Sequence, residues 1–77
     1  MNKEHLVEQI INTVSENTDI TDIYENSSFM DDLEMSSMEI YTFIADLEAE
    51  TGIRIPERVL NKAATVGELA DEIMNLL

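Results

Sequence analysis

Two adjacent serines, Ser36 and Ser37, stand in a stretch that reads as the start of a helix. Ser36-Ser37-Met38-Glu39 has the form of a capping box. The Ser36 hydroxyl accepts from the Glu39 amide, and the Glu39 carboxylate accepts from the Ser36 amide. A helix start also presents unpaired N–H groups and the positive end of the helix dipole. Ser37, at the first helical position, sets a hydroxyl beside those donors, a place that suits a phosphate ester. By itself the pattern means only a cap. Other chemistries find no footing. The only glycines are Gly52 and Gly67, so there is no Gly-rich phosphate loop. There is no cysteine to act as nucleophile, disulfide partner or thiolate ligand. His5 is the one histidine; it reads as a solvated residue of a first helical turn. A Ser-His-Asp arrangement would need it, yet no nucleophile elbow surrounds Ser37. Asp31, Asp32 and Glu34 lack the spacing of an EF-hand loop and read as a solvated acidic loop. In so acidic a chain, paired carboxylates are weak evidence of acid–base work. No catalytic residue and no metal ligand is expected.

The elements that position the serines follow from apolar spacing. Leu6, Val7, Ile10, Ile11 and Val14 recur at helical intervals, predicting a first amphipathic helix over about residues 3–15. Ser15 to Asp22 is rich in side chains that compete for backbone hydrogen bonds, and should end it. The connection to Ser37 is then roughly twenty residues, a length typical of functional loops. Ile20, Ile23, Tyr24, Phe29 and Leu33 are expected to anchor it across the core, with room for a short helical turn. A second helix runs from Ser37 to about Glu50, with Ile40, Phe43, Ile44 and Leu47 inward and Gly52 as its stop. Ile53-Arg54-Ile55 is extended before Pro56, which opens a short helix through Val59 and Leu60. A second capping box, Thr65-Val66-Gly67-Glu68, starts a last helix with Val66, Leu69, Ala70, Ile73 and Leu76 or Leu77 on one face. No strand is convincing. The fold class is all-α: a four-helix bundle of three longer helices and one short one, with a long first loop. Residues 1–77 suffice for a single domain.

Four Lys+Arg against 17 Asp+Glu give a formal net charge of −13, and no cation falls between Lys3 and Arg54. Nucleic acid is a poor partner for such a chain, and anionic membranes repel it. Proteins with basic patches are the natural partners, bound in a salt-sensitive way. No apolar run exceeds three residues, as in Phe43-Ile44-Ala45, so neither membrane insertion nor a signal peptide is expected. A cytoplasmic monomer is expected.

Three blocks carry a resemblance. Phe29-Met30-Asp31-Asp32-Leu33, with Ser37 four residues on, resembles the approach to the attachment serine of acyl carrier proteins. Leu47-Glu48-Ala49-Glu50-Thr51-Gly52-Ile53-Arg54-Ile55-Pro56 resembles that family's acidic run ending in Gly-Ile and Ile-Pro. Ala64-Thr65-Val66-Gly67-Glu68-Leu69 resembles its Thr-Val-Gly-Asp helix start. The resemblance implies a carrier domain of the acyl-carrier fold, not an enzyme, with 4'-phosphopantetheine attached covalently at Ser37 by a phosphopantetheinyl transferase. The arm would hold acyl intermediates as thioesters for enzymes of fatty acid or polyketide-type biosynthesis that carry basic docking patches. It also implies that the second helix is the docking helix, with Met38, Tyr41 and Ala45 as an apolar stripe and Glu39 and Glu48 as flanking acids. Glu34 and Thr42 complete the expected contact set. The motif departs from the family's usual Gly-Ala-Asp-Ser-Leu, reading Glu34-Met35-Ser36-Ser37-Met38 instead. Thr42 and Ala49 stand where the family often has glutamate. Two rivals remain open: a peptidyl or aminoacyl carrier, and a carrier-like acidic interaction module that takes no cofactor.

Overall fold

Three of the four helices begin where a side chain offers an acceptor to the otherwise unpaired first amides. The computed structural model describes residues 2–77. Asn2 caps α1 (Lys3–Asn17), its Oδ1 accepting from the His5 amide at 2.7 Å. Ser36 caps α2 (Ser37–Thr51), and Thr65 caps α4 (Val66–Leu76); both form the reciprocal capping boxes expected of them. α3 (Glu57–Lys62) follows Pro56, whose fixed backbone suits a helix entry and whose missing N–H leaves no donor to satisfy. Gly52 ends α2 in the left-handed conformation, φ 73°, and its amide donates to the Glu48 carbonyl.

α1 runs two residues past the expected end. Ser15 Oγ donates to the Asn12 carbonyl and Asn17 Nδ2 to the Thr13 carbonyl. These polar side chains bond back onto the preceding turn and leave its backbone helical. The loop from Thr18 to Ser36 forms no helix. Turns build it, as where the Asp32 and Leu33 amides both donate to the Ser28 carbonyl. Ile23, Phe29 and Leu33 are buried and Ile20 is half-buried, as anchors should be. Tyr24 is not an anchor, because its ring is exposed.

The core joins all four helices. Leu6, Ile10 and Val14 of α1 meet Phe43 and Leu47 of α2, and Leu69 and Ile73 of α4, all fully buried. α1 packs against both α2 and α4, and α3 packs against α4. The long loop lies along the junction of α3 and α4. The Phe29 amide donates to the Ala64 carbonyl, Val66 to Ser27, and Gly67 to Glu25 at 2.7 Å. A Cβ at Gly67 would stand 2.8 Å from the Glu25 side chain and 3.2 Å from its carbonyl oxygen, so this close crossing requires glycine. Phe29 closes the loop onto α2 by packing its ring on Phe43, centroids 5.6 Å apart. The loop is thereby fixed along its middle, and it delivers Ser36 and Ser37 to the surface at the start of α2.

Candidate functional site

The loop reaches the serines through a buried residue and a strained one. Met35 is buried. Glu34, just before it, is exposed and is the one described non-glycine residue at positive φ, 52°. Side chains with a Cβ are disfavoured there. The bend turns the chain sharply between buried Leu33 and buried Met35, and it sets the direction in which α2 begins.

At that start the capping box is complete. Ser36 N donates to Glu39 Oε1 at 3.0 Å, and Glu39 N donates to Ser36 Oγ at 3.2 Å. The bond from the Ser36 amide, with help from the Ser36 side chain, holds the Glu39 carboxyl below the usual glutamate range. Ser36 is thus spent on the cap. Ser37 is the first residue of α2, exposed, and its hydroxyl takes no part in the hydrogen bonds that build the cap. The Ser37 and Met38 amides, being the first two of the helix, have no intrahelical acceptor. A phosphate ester on Ser37 Oγ would stand at the positive end of a 15-residue helix, beside these free donors. The residues present therefore fit a covalently attached phosphate-bearing arm.

The exposed face of α2 continues from the serine. Met38 is 77% exposed and Tyr41 50% exposed; Thr42 and Ala45 are also exposed. Met38, Tyr41 and Ala45 follow one another at helical spacing and share an exposed face of α2. Thr42 Oγ1 donates to the Met38 carbonyl and is turned onto its own helix. The expected acids behave less simply. Glu39 serves the cap. Glu48 is half-buried, and its Oε2 accepts from the Ile55 amide at 2.6 Å, tying the extended segment after α2 back to that helix. Asp46 accepts from Asn17 Nδ2 of α1, while Glu50 Oε2 lies 3.3 Å from Thr13 Oγ1, whose one proton goes at 2.9 Å to the Gln9 carbonyl. Three of the four acids of α2, Glu39, Asp46 and Glu48, thus have a donor within the chain. Glu34 and Asp31 are exposed acids beside the serines. Sequence reasoning missed the anchoring roles of these carboxylates, and it missed one bond that joins α2 to α3: Tyr41 Oη donates to Glu57 Oε1 at 3.0 Å.

An apolar cavity of about 470 Å³ opens beside this face. Ile40 and Phe43 of α2 line one side, Leu60 and Lys62 of α3 the other, with Phe29 and Leu69 behind. Ile40 lies one turn from Ser37, so the cavity begins within reach of the helix start.

A family model described as the phosphopantetheine attachment site matches residues 8–73. The chain belongs to this family. Its members are carriers rather than enzymes, and they hold 4'-phosphopantetheine covalently; this chain is a carrier of that kind. The carrier is 33% identical to an acyl carrier protein of Lactobacillus acidophilus, over 95% of this chain and 94% of that one. It is 34% identical to an acyl carrier protein of Exiguobacterium, over 90% of each. Among solved structures it resembles the acyl carrier protein of Enterococcus faecalis, with a TM-score of 0.74 and 27% identity, covering 97% of this chain and 98% of that one. The carrier fold expected from the resemblance is the fold observed. No helix among the described residues is long and apolar enough to cross a membrane.

Proposed function

We propose that this carrier takes its phosphopantetheine arm at Ser37 and presents acyl groups to partner enzymes of fatty acid or polyketide-type biosynthesis. The observation that carries the assignment is the division of labour in the serine pair. Ser36 Oγ is engaged in the cap, whereas Ser37 Oγ is exposed at the first helical position beside free amides. When bound, the arm supplies the thiol on which an acyl group is held as a thioester.

The chain's own residues do three things around that point. The free amides of Ser37 and Met38 stabilise negative charge on a phosphate ester at Ser37. The cavity walls, Ile40, Phe43, Leu60 and Phe29 among them, shield an apolar chain from water. Met38, Tyr41 and Ala45, with Glu34 and the remaining charge of Glu39 and Glu48, form the docking face for a phosphopantetheinyl transferase and later enzymes that carry basic patches. A net charge of −13 supports long-range steering toward such patches. The single continuous core supports reading residues 1–77 as one carrier domain. Action as a monomer in the cytoplasm completes the proposal.

The test is transfer from coenzyme A by a phosphopantetheinyl transferase from the same cell, followed by intact mass. The wild type should gain one phosphopantetheine, Ser36→Ala should gain it as well, and Ser37→Ala should gain none. Modification of Ser37→Ala at the wild-type rate would overturn the site assignment.

A further inference from the structure

We propose that Tyr41 and Glu57 form a clasp that holds α3 closed over the cavity between α2 and α3, so that Tyr41 sets how readily the cavity opens. α3 is the shortest helix. It has six residues, and only Val59 is buried. So short a helix has little stability of its own and depends on what holds it. It packs on α4 and stands apart from α2, with the cavity between them. Its ends are tied differently. Just beyond its C-terminal end, the Ala64 carbonyl accepts from the Phe29 amide at 3.0 Å, and this backbone bond pins the junction with α4. Just before its N-terminal end, the Ile55 amide is held by Glu48. Between these ties, the bond from Tyr41 Oη to Glu57 Oε1 is the one direct hydrogen bond from α2 to α3 among the described residues.

The position of that bond gives it leverage. Tyr41 is adjacent to Ile40, and Glu57 lies one turn before Leu60, so the clasp sits next to both apolar walls of the cavity. Leu60, the apolar wall on α3, moves outward when the N-terminal turn of α3 lifts from α2, and the clasp resists that movement. The same bond pushes the Tyr41 phenol above its usual range, first through the hydrogen bond to Glu57 and then through its charge. The neutral phenol donates, whereas a phenolate would be repelled. Tyr41 is therefore a positioning residue for the cavity as well as part of the exposed face of α2. Its consequence for cargo rests on reading the cavity as the place of the acyl chain. The test below uses the chain without its arm, so failure of the clasp and failure of attachment at Ser37 are read separately.

Amide hydrogen exchange by NMR tests the clasp. Tyr41→Phe keeps the ring and removes the donor. It should raise exchange at Asn61, Lys62 and Ala63 by about 3- to 10-fold, the range of one ordinary hydrogen bond, while α1 and α4 exchange as in the wild type. The double variant Tyr41→Phe/Glu57→Gln should exchange no faster than Tyr41→Phe alone, since one bond can be lost only once. In Glu57→Gln the Tyr41 phenol should titrate closer to an ordinary tyrosine. The neutral apolar fluorophore N-phenyl-1-naphthylamine should enter the Tyr41→Phe protein faster than the wild type. Unchanged exchange in α3, an equal rise across α1 and α4, or a double variant faster than the single would each overturn the clasp.

Discussion

Ser36 and Ser37 are neighbours, one engaged in the cap of α2 and the other left out of it. Ser36→Ala removes the acceptor for the Glu39 amide and should cost about 1 kcal/mol in a urea melt. Ser37→Ala removes a hydroxyl that supports nothing in the cap and should leave the melt where it was. Modification should follow the reverse pattern, with Ser36→Ala accepting the arm and Ser37→Ala refusing it. Equal stability losses in the two variants would contradict this division. Glu34 offers a second residue-scale test. Its φ of 52° strains a side chain that bears a Cβ, and the motif that this stretch resembles usually has glycine at this place. Glu34→Gly should stabilise the fold by about 0.5–1 kcal/mol, strain relief exceeding the added freedom of the unfolded chain. A destabilised Glu34→Gly would mean that the Glu34 carboxylate, not the backbone, matters there. The cap was legible from residue types, because Ser-x-x-Glu states its own hydrogen bonds. The bend at Glu34 was not, because a glutamate carries no signal for positive φ.

α2 is the element on which the proposed docking face and the scaffolding bonds meet. Three of its four acids accept hydrogen bonds from within the chain, so their removal has two effects that must be separated. Glu48→Lys should slow association with the transferase, more at low salt than at high salt, and should also lower the melting temperature by freeing the Ile55 amide. Glu48→Gln retains an acceptor for that amide; it should slow association and spare stability. Met38→Ala, at the most exposed apolar residue of the stripe, should act chiefly on dissociation. Stopped-flow rates at two salt concentrations, beside thermal melts, distinguish these effects. Rates unchanged in all three variants would move the docking surface off α2. The Glu39 carboxyl ties the helix start to acid conditions. Its value in the fold lies below the usual 4.5, so its contribution is fully present above that pH and is lost as pH falls through the lowered folded value. The extents of α2 and α4 were readable because capping boxes mark their starts. The end of α1 was not, because Ser15 and Asn17 can serve either a turn or the helix behind them, and packing decides which.

At the scale of the molecule, 17 acids share a small core with four cations, and the one cation in described ion pairs is Lys3, which bonds Asp71 at 3.0 Å and reaches Glu25 at 4.0 Å. Self-repulsion should therefore limit stability at low salt. The melting temperature should rise with added sodium chloride as screening shortens the reach of that repulsion, and a flat profile would contradict this view. The helical class and the apolar core were legible from periodicity and patterning. The links that cross between elements, Lys3 to Asp71, Asn17 to Asp46 and Tyr41 to Glu57, were not, since each depends on how helices pack and not on local sequence. The central claim, a carrier loaded at Ser37, is tested most directly on the protein purified from cells in which it is naturally made. Its intact mass should exceed the sequence mass by one phosphopantetheine, and fragmentation should put that mass on Ser37. An unmodified chain, or the same mass on Ser36, would contradict it.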